Sequence, residues 1–146
     1  PVEGSFDLAH LCKIHQYLFQ DVYEWAGEVR SVDIIRGDSR FCNVRQIQSY
    51  SNTIFSALAA EKYLINLEPK VCASRLAHYL SEINAIHPFR EGNGRVQRLF
   101  ISQLAEHAGY SLDYSSLDQA VLYPVMQASF LGNEQPLSDL IFKIIA

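Results

Sequence analysis

The chain has 146 residues, 49% of them apolar and 19% charged, which suits one domain with its own core and is too apolar for a disordered segment. A net charge of −4 excludes a general attraction to nucleic acid or to an anionic membrane surface, so any positive field must be local. Cys12, Cys42 and Cys72 are an odd set without CxxC spacing, which excludes a disulfide framework or a zinc site by pattern and leaves free thiols in a reducing cytosol.

No apolar run approaches the roughly 20 residues that cross a bilayer, and no signal peptide is visible. The single methionine is Met126, so Pro1 is not a native start. Residues 1–146 are expected to be one domain excised from a longer protein.

Leu8, Leu11, Ile14, Leu18 and Phe19 recur at helical spacing, which predicts a helix from Asp7 to about Val22, with Gly27 of "EWAG" suited to a stop. "VRSVDIIRGDSRFC" then places β-branched residues on both sides of Arg36-Gly37-Asp38, a short hairpin signal. Asn43 suits the cap of a second helix carrying Ile47, Tyr50, Ile54 and Leu58. Pro69 suits the first turn of a third, whose stripe of Cys72, Leu76, Tyr79, Leu80, Ile83 and Ile86 runs up to His87. Val96, Leu99, Phe100 and Leu104 make a fourth stripe, ended by Gly109. Ser115-x-x-Asp118 resembles a capping box opening a helix to about Leu131, and Leu137 to Ile145 closes the chain. The expected class is all-α, a helical bundle with one short hairpin.

The chemistry concentrates between the third and fourth helices, in "HPFREGNGRVQR", residues His87 to Arg98. Pro88, Gly92 and Gly94 stop one helix near His87 and start the next around Asn93 to Arg95. A helix start exposes unpaired amides and the positive end of its dipole, which attract an anion. Glycines let a phosphate approach those amides closely. Arg95 and Arg98 share a face of the new helix and can fork onto phosphate oxygens. Glu91 offers a hard oxygen where magnesium could bridge protein and phosphates. His87 is the only obvious base nearby. Pro88 and Gly92 make a helical His87–Glu91 metal pair implausible, so a zinc hydrolase ranks low. His10, His15, His78 and His107 read as structural or solvent-facing, and Phe89 as the core anchor of the loop.

The twelve residues match without a gap the signature of the Fic family, His-x-Phe-x-Asp/Glu-Gly-Asn-Gly-Arg-x-x-Arg. The stretch "IHQYLFQDVYEWAGEVRSVDIIRGDSRFC" resembles the family's approach to its active-site flap, so the resemblance covers about residues 7 to 110. It implies a Fic-fold helical bundle and an enzyme that transfers AMP from ATP to a Ser, Thr or Tyr hydroxyl of a target protein, releasing pyrophosphate. By similarity His87 deprotonates the hydroxyl and Glu91 holds Mg²⁺. The backbone of Gly92, Asn93 and Gly94 forms an anion hole, with Asn93 helping to orient phosphates. Arg95 contacts the β-phosphate region and Arg98 the γ-phosphate.

The hairpin is then the flap. The resemblance implies that Ile34, Ile35, Arg36 and Gly37 dock the extended backbone of the target by strand addition, with Arg36 and Gly37 at a tip that also touches nucleotide. Many relatives carry Lys-Gly there. Doc-type proteins resemble Fic in fold, carry Lys at the position of Gly94 and transfer the terminal phosphate; glycine here disfavours that alternative. Use of another nucleotide, removal of AMP, or a toxin or effector module that only interacts remain open at this stage.

Many Fic proteins carry an inhibitory Ser/Thr-x-x-x-Glu-Gly/Asn helix whose glutamate pairs with the last arginine of the motif. Only Glu106 has Ser or Thr four residues earlier, at Ser102, and both lie on the helix that the motif itself starts. The expectation is that a small antitoxin-like partner, or a segment outside residues 1–146, supplies a glutamate to Arg98. The expected location is the bacterial cytoplasm, or a host cytosol for a secreted effector.

Overall fold

Asp7 opens the first helix as its spacing predicts: the carboxylate accepts from the His10 N–H at 2.8 Å and caps α1, Leu8–Phe19. The computed structural model describes residues 1–37 and 39–146. Among the described residues a two-stranded antiparallel sheet follows, β1 (Ile35–Arg36) with β2 (Ser39–Arg40), pairing Ile35 with Arg40 and Arg36 with Ser39. The hairpin is thus shorter than its β-branched flanks suggest. Backbone pairing extends one step further, from the Phe41 N–H to the Ile34 carbonyl at 3.3 Å.

Asn43 does act as a cap, but of a 3₁₀ turn, Val44–Gln46, that leads into α2, Ile47–Ala60. Pro69 takes the first position of α3, Pro69–Ile86, where its missing N–H costs nothing. α3 is the axis of the fold: Leu76, Tyr79, Ile83 and Ile86 are fully buried, and α2, α4, α5 and α6 pack around it. α4 spans Asn93–His107, α5 Gln119–Phe130 and α6 Gln135–Ile144.

One expectation is corrected. The Ser115-x-x-Asp118 box does not form; Asp118 itself caps α5, accepting from the Val121 N–H at 3.0 Å. Ser115 instead lies in a 3₁₀ turn, Tyr114–Ser116, capped by Asp113. A short acidic side chain reaches an amide three residues on as readily as serine does, so the box pattern misplaced the cap by three residues. Pro124, inside α5, removes one helical donor. No helix among the described residues is long and apolar enough to cross a membrane.

Candidate active site

α3 ends on a histidine where helices commonly end on glycine. His87 has φ 47° and ψ 62°, a left-handed conformation that L side chains adopt at a cost. That kink turns the chain away from the helix, and Pro88 prevents its return. The imidazole is buried, and the Phe41 ring lies flat against it, 3.8 Å between centroids and 11° between planes. Nδ1 is sealed in the interior with no hydrogen-bond partner among the described residues, which leaves Nε2 as the nitrogen a substrate can meet.

Burial chiefly, then the nearby Arg36 and Arg30 charges, push the His87 pKa down from 6.5 to about 4. The Asn84 carbonyl pulls weakly the other way, without the geometry of a true hydrogen bond. At neutral pH the ring is therefore uncharged and able to take a proton.

The left-handed turn at His87 leaves the last carbonyls of α3 needing donors. Arg30 supplies them. Its guanidinium is buried, and Nε donates to the His87 carbonyl at 2.7 Å while Nη2 donates to Ile86 at 3.1 Å. The same fork donates to Val32 at 2.7 Å and Cys42 at 2.5 Å, at the two feet of the hairpin. Nothing in the residue pattern singles out Arg30, because its partners lie up to 57 positions away.

From His87 the loop descends to Phe89, which is fully buried as expected of an anchor. His15 braces the loop from below: Nδ1 accepts from the Gly27 N–H at 2.8 Å, so the proton sits on Nε2, which donates to the Glu91 carbonyl at 2.9 Å. Its ring also stacks on Phe89. His10 is likewise buried and structural, and burial lowers the pKa of both rings. Asn93 also holds the loop together. Its side chain is buried, donating to the Phe89 carbonyl at 2.6 Å and accepting from the Phe89 N–H at 2.9 Å. These two bonds shape the loop and place the Asn93 backbone at the start of α4.

Gly92 is left-handed at φ 84°, and a Cβ there would strike the Phe19 ring, 2.6 Å from Cζ. The next residues open α4 without a side-chain cap, and the first backbone bond of the helix reaches only from Val96 to Gly92. The amides of Asn93, Gly94 and Arg95 therefore have no acceptor within the helix, the arrangement an anion fits. Arg95 and Arg98 share one face of α4 as expected, bordering a groove with Leu18 and Tyr114. Arg95 rests over Phe19, and Arg98 folds across Gly94, where a Cβ would meet Nη1 at 3.2 Å. Ser102 and Glu106 lie further along the same helix.

Glu91 is exposed, and among the described residues its ion-pair partner is Arg36 on the hairpin, at 3.9 Å. The hairpin tip thus leans over the mouth. Gly37, at φ 58°, has open space around its Cα, and Ile35 is 57% exposed. Beside the mouth a cavity of about 220 Å³ runs between α3, α5 and α6. Arg36 and Arg98 stand at its polar side, with Leu80, Leu122, Met126 and Ile141 among its apolar walls. Helices far apart in sequence build it, and no motif marks them.

A separate cluster, His78, Glu82 and Glu134, gathers where α3 meets α2 and the turn before α6. His78 pairs with Glu134 at 3.2 Å and Tyr50 donates to Glu82 at 2.8 Å, so these groups already satisfy one another.

The buried His87 beside an uncapped helix start, two arginines and an apolar cavity make an arrangement able to hold an anion next to a proton acceptor. The profile of the Fic/DOC family matches residues 5–105, and the chain belongs to that family. It is 45% identical over 140 residues to the protein adenylyltransferase VbhT of Bartonella schoenbuchensis, covering 96% of this chain and 29% of VbhT. It is 42% identical to the "Probable protein adenylyltransferase Fic" of Salmonella typhimurium, over 95% of this chain and 70% of that one. Among solved structures, BepC of Bartonella tribocorum, an effector protein with bound AMPPNP, superposes with a TM-score of 0.92 at 28% identity, over all of this chain and 77% of that one.

Proposed function

We propose that this chain is the catalytic domain of a protein adenylyltransferase, moving AMP from ATP to a hydroxyl of a target protein. The observation that carries this reading is the neutral, buried His87 imidazole beside the uncapped start of α4. The hydroxyl oxygen attacks the α-phosphorus, the bond from that phosphorus to the β-bridging oxygen breaks, and pyrophosphate leaves. The hydroxyl proton passes to His87. Amides of Asn93, Gly94 and Arg95 hold phosphate oxygens, Arg95 neutralises the β-phosphate region, and Arg98 reaches the γ-phosphate. Such chemistry gains mostly from positioning and charge neutralisation.

Glu91 suits Mg²⁺: it is an exposed hard oxygen donor at the mouth, engaged among the described residues by an arginine at 3.9 Å. The ion would neutralise charge developing between α- and β-phosphates. The cavity lined by Leu80 and Met126 takes the apolar face of the base, with Arg36 and Gly37 closing over the nucleotide.

The target docks on the hairpin at Ile34 to Gly37, whose exposed edge can accept a strand. Arg98, open beside the cavity, is where a small antitoxin-like partner would place a glutamate. The relatives named above include effectors, which favours action in a bacterial cytoplasm or, after delivery, a host cytosol. Gly94 lies under Arg98, where a Cβ would stand 3.2 Å from Nη1, and the absence of a lysine there speaks against the Doc-type transfer.

Incubation of the chain with Mg²⁺ and either α- or γ-labelled ATP in bacterial lysate tests the reading. Label on protein from the α-position is expected. Label from the γ-position alone would make it a kinase, and no label from either would reduce it to a binding module. His87→Ala should bind ATP within about threefold of wild type and lose transfer by at least the ~10²-fold that a positioned base contributes.

A further inference from the structure

The mechanism requires two things to keep one relative geometry: the base at the end of α3 and the hairpin on which the target docks. They are far apart in sequence, and the hairpin is only two residues per strand. Such a ribbon is marginal on its own. Something must tie it to the base.

We propose that Arg30 is a positioning residue for the transfer reaction: its guanidinium locks both feet of the hairpin to the carbonyl end of α3, so docking strand and base form one rigid unit. The assignment rests on the adenylyltransferase reading. Five contacts carry it. The fork reaches the carbonyls of Ile86 and His87 at the helix end, and of Val32 and Cys42 where the chain enters and leaves the hairpin. The Arg30 N–H donates to Pro88 at 2.9 Å, and beside this clamp the Cys42 N–H donates to Ala85 at 2.9 Å. All are charge-assisted or main-chain bonds, and Arg30 is only 2% exposed.

Two consequences reach the chemistry. Phe41, next to Cys42, stacks on the imidazole, so fixing the second foot also fixes the ring. A helix carries partial negative charge at its carbonyl end, which would favour a protonated histidine there. Arg30 occupies those carbonyls with a positive charge and so opposes protonation. Asp33 stands 4.0 Å from the fork and is half exposed, too open to cancel that charge. A lysine could supply the charge but not four directed donors.

The test compares wild type with Arg30→Lys and Arg30→Met, in lysate with α-labelled ATP and Mg²⁺, alongside calorimetric ATP affinity and NMR titration of His87. Arg30→Lys should transfer AMP at least tenfold more slowly at saturating ATP, bind ATP within threefold of wild type, and keep the low imidazole midpoint. Arg30→Met should in addition raise that midpoint. Arg30→Lys transferring within threefold of wild type overturns the proposal, as does a loss of transfer matched by the loss of ATP affinity. Should the variants not fold, amide exchange of wild type decides. The N–H groups of Arg30, Cys42 and His87 should exchange at one common rate, and Cys42 exchanging a hundredfold faster than His87 would overturn the clamp. Wild type that transfers no α-label defeats the adenylyltransferase reading, while the exchange result still judges the clamp.

Discussion

Phe41 and His87 stack face to face, 3.8 Å apart and nearly parallel, although 46 residues separate a hairpin foot from a helix end. The phenyl ring both desolvates the imidazole and limits its rotation. Phe41→Leu keeps the volume near enough to fold but not the flat contact. It should cost about 1 kcal/mol of stability and about tenfold in AMP transfer, since small displacements of a base are expensive. Thermal denaturation and single-turnover labelling read the two effects separately.

The buried neutral ring sets a pH dependence. The folded pKa of His87, about 4, lies below the ordinary 6.5, so unfolded chains take up the proton first. The stability tied to this ring is complete above about pH 6.5 and drains away as pH falls toward 4, by roughly 3 kcal/mol. kcat/KM should stay flat below 6.5 and drop only near pH 4. Bound triphosphate favours the charged ring and should move the kcat midpoint upward. A kcat/KM midpoint at 6.5 would contradict the burial argument.

Gly92→Ala introduces a Cβ both at a left-handed φ of 84° and against the Phe19 ring. Phe19 carries the stacked Arg95, so the clash spreads to an arginine that the proposed function sets against phosphate. The expected loss is about 2–4 kcal/mol, with ATP affinity reduced at least tenfold by calorimetry. Unchanged stability would show that Phe19 yields easily.

Glu91→Gln should behave differently. The pair with Arg36 is long and exposed, so its loss should change stability by less than about 1 kcal/mol. The Mg²⁺ dependence of ATP binding should nevertheless disappear. A variant whose affinity still rises with magnesium would remove Glu91 from the metal role.

The helices and the loop were legible because their signals are local: apolar spacing, Pro69 at a first turn, glycines flanking Asn93. The loop residues that the proposed function uses stand out for the same reason. Asn93 shows the limit, since its type does not disclose that its side chain holds the Phe89 backbone, and only packing reveals it. Arg30, His15 and Phe41 were not legible, because each acts on a backbone or ring many residues away. An arginine that satisfies carbonyls looks, in a string of letters, like any surface arginine. The cavity walls escaped too, as apolar side chains on α3, α5 and α6 share no spacing. Asp118 was misread through a pattern that serine and aspartate fulfil equally well.

The brace beneath the loop works only while His15 holds one lone pair toward Gly27. Acid would turn that acceptor into a second donor, two N–H groups would then confront each other, and the ring would have to swing out from under Glu91. Acidity would thus attack this corner from its foundations as well as through His87, and the histidine beneath the loop sets part of the acid tolerance of the proposed base.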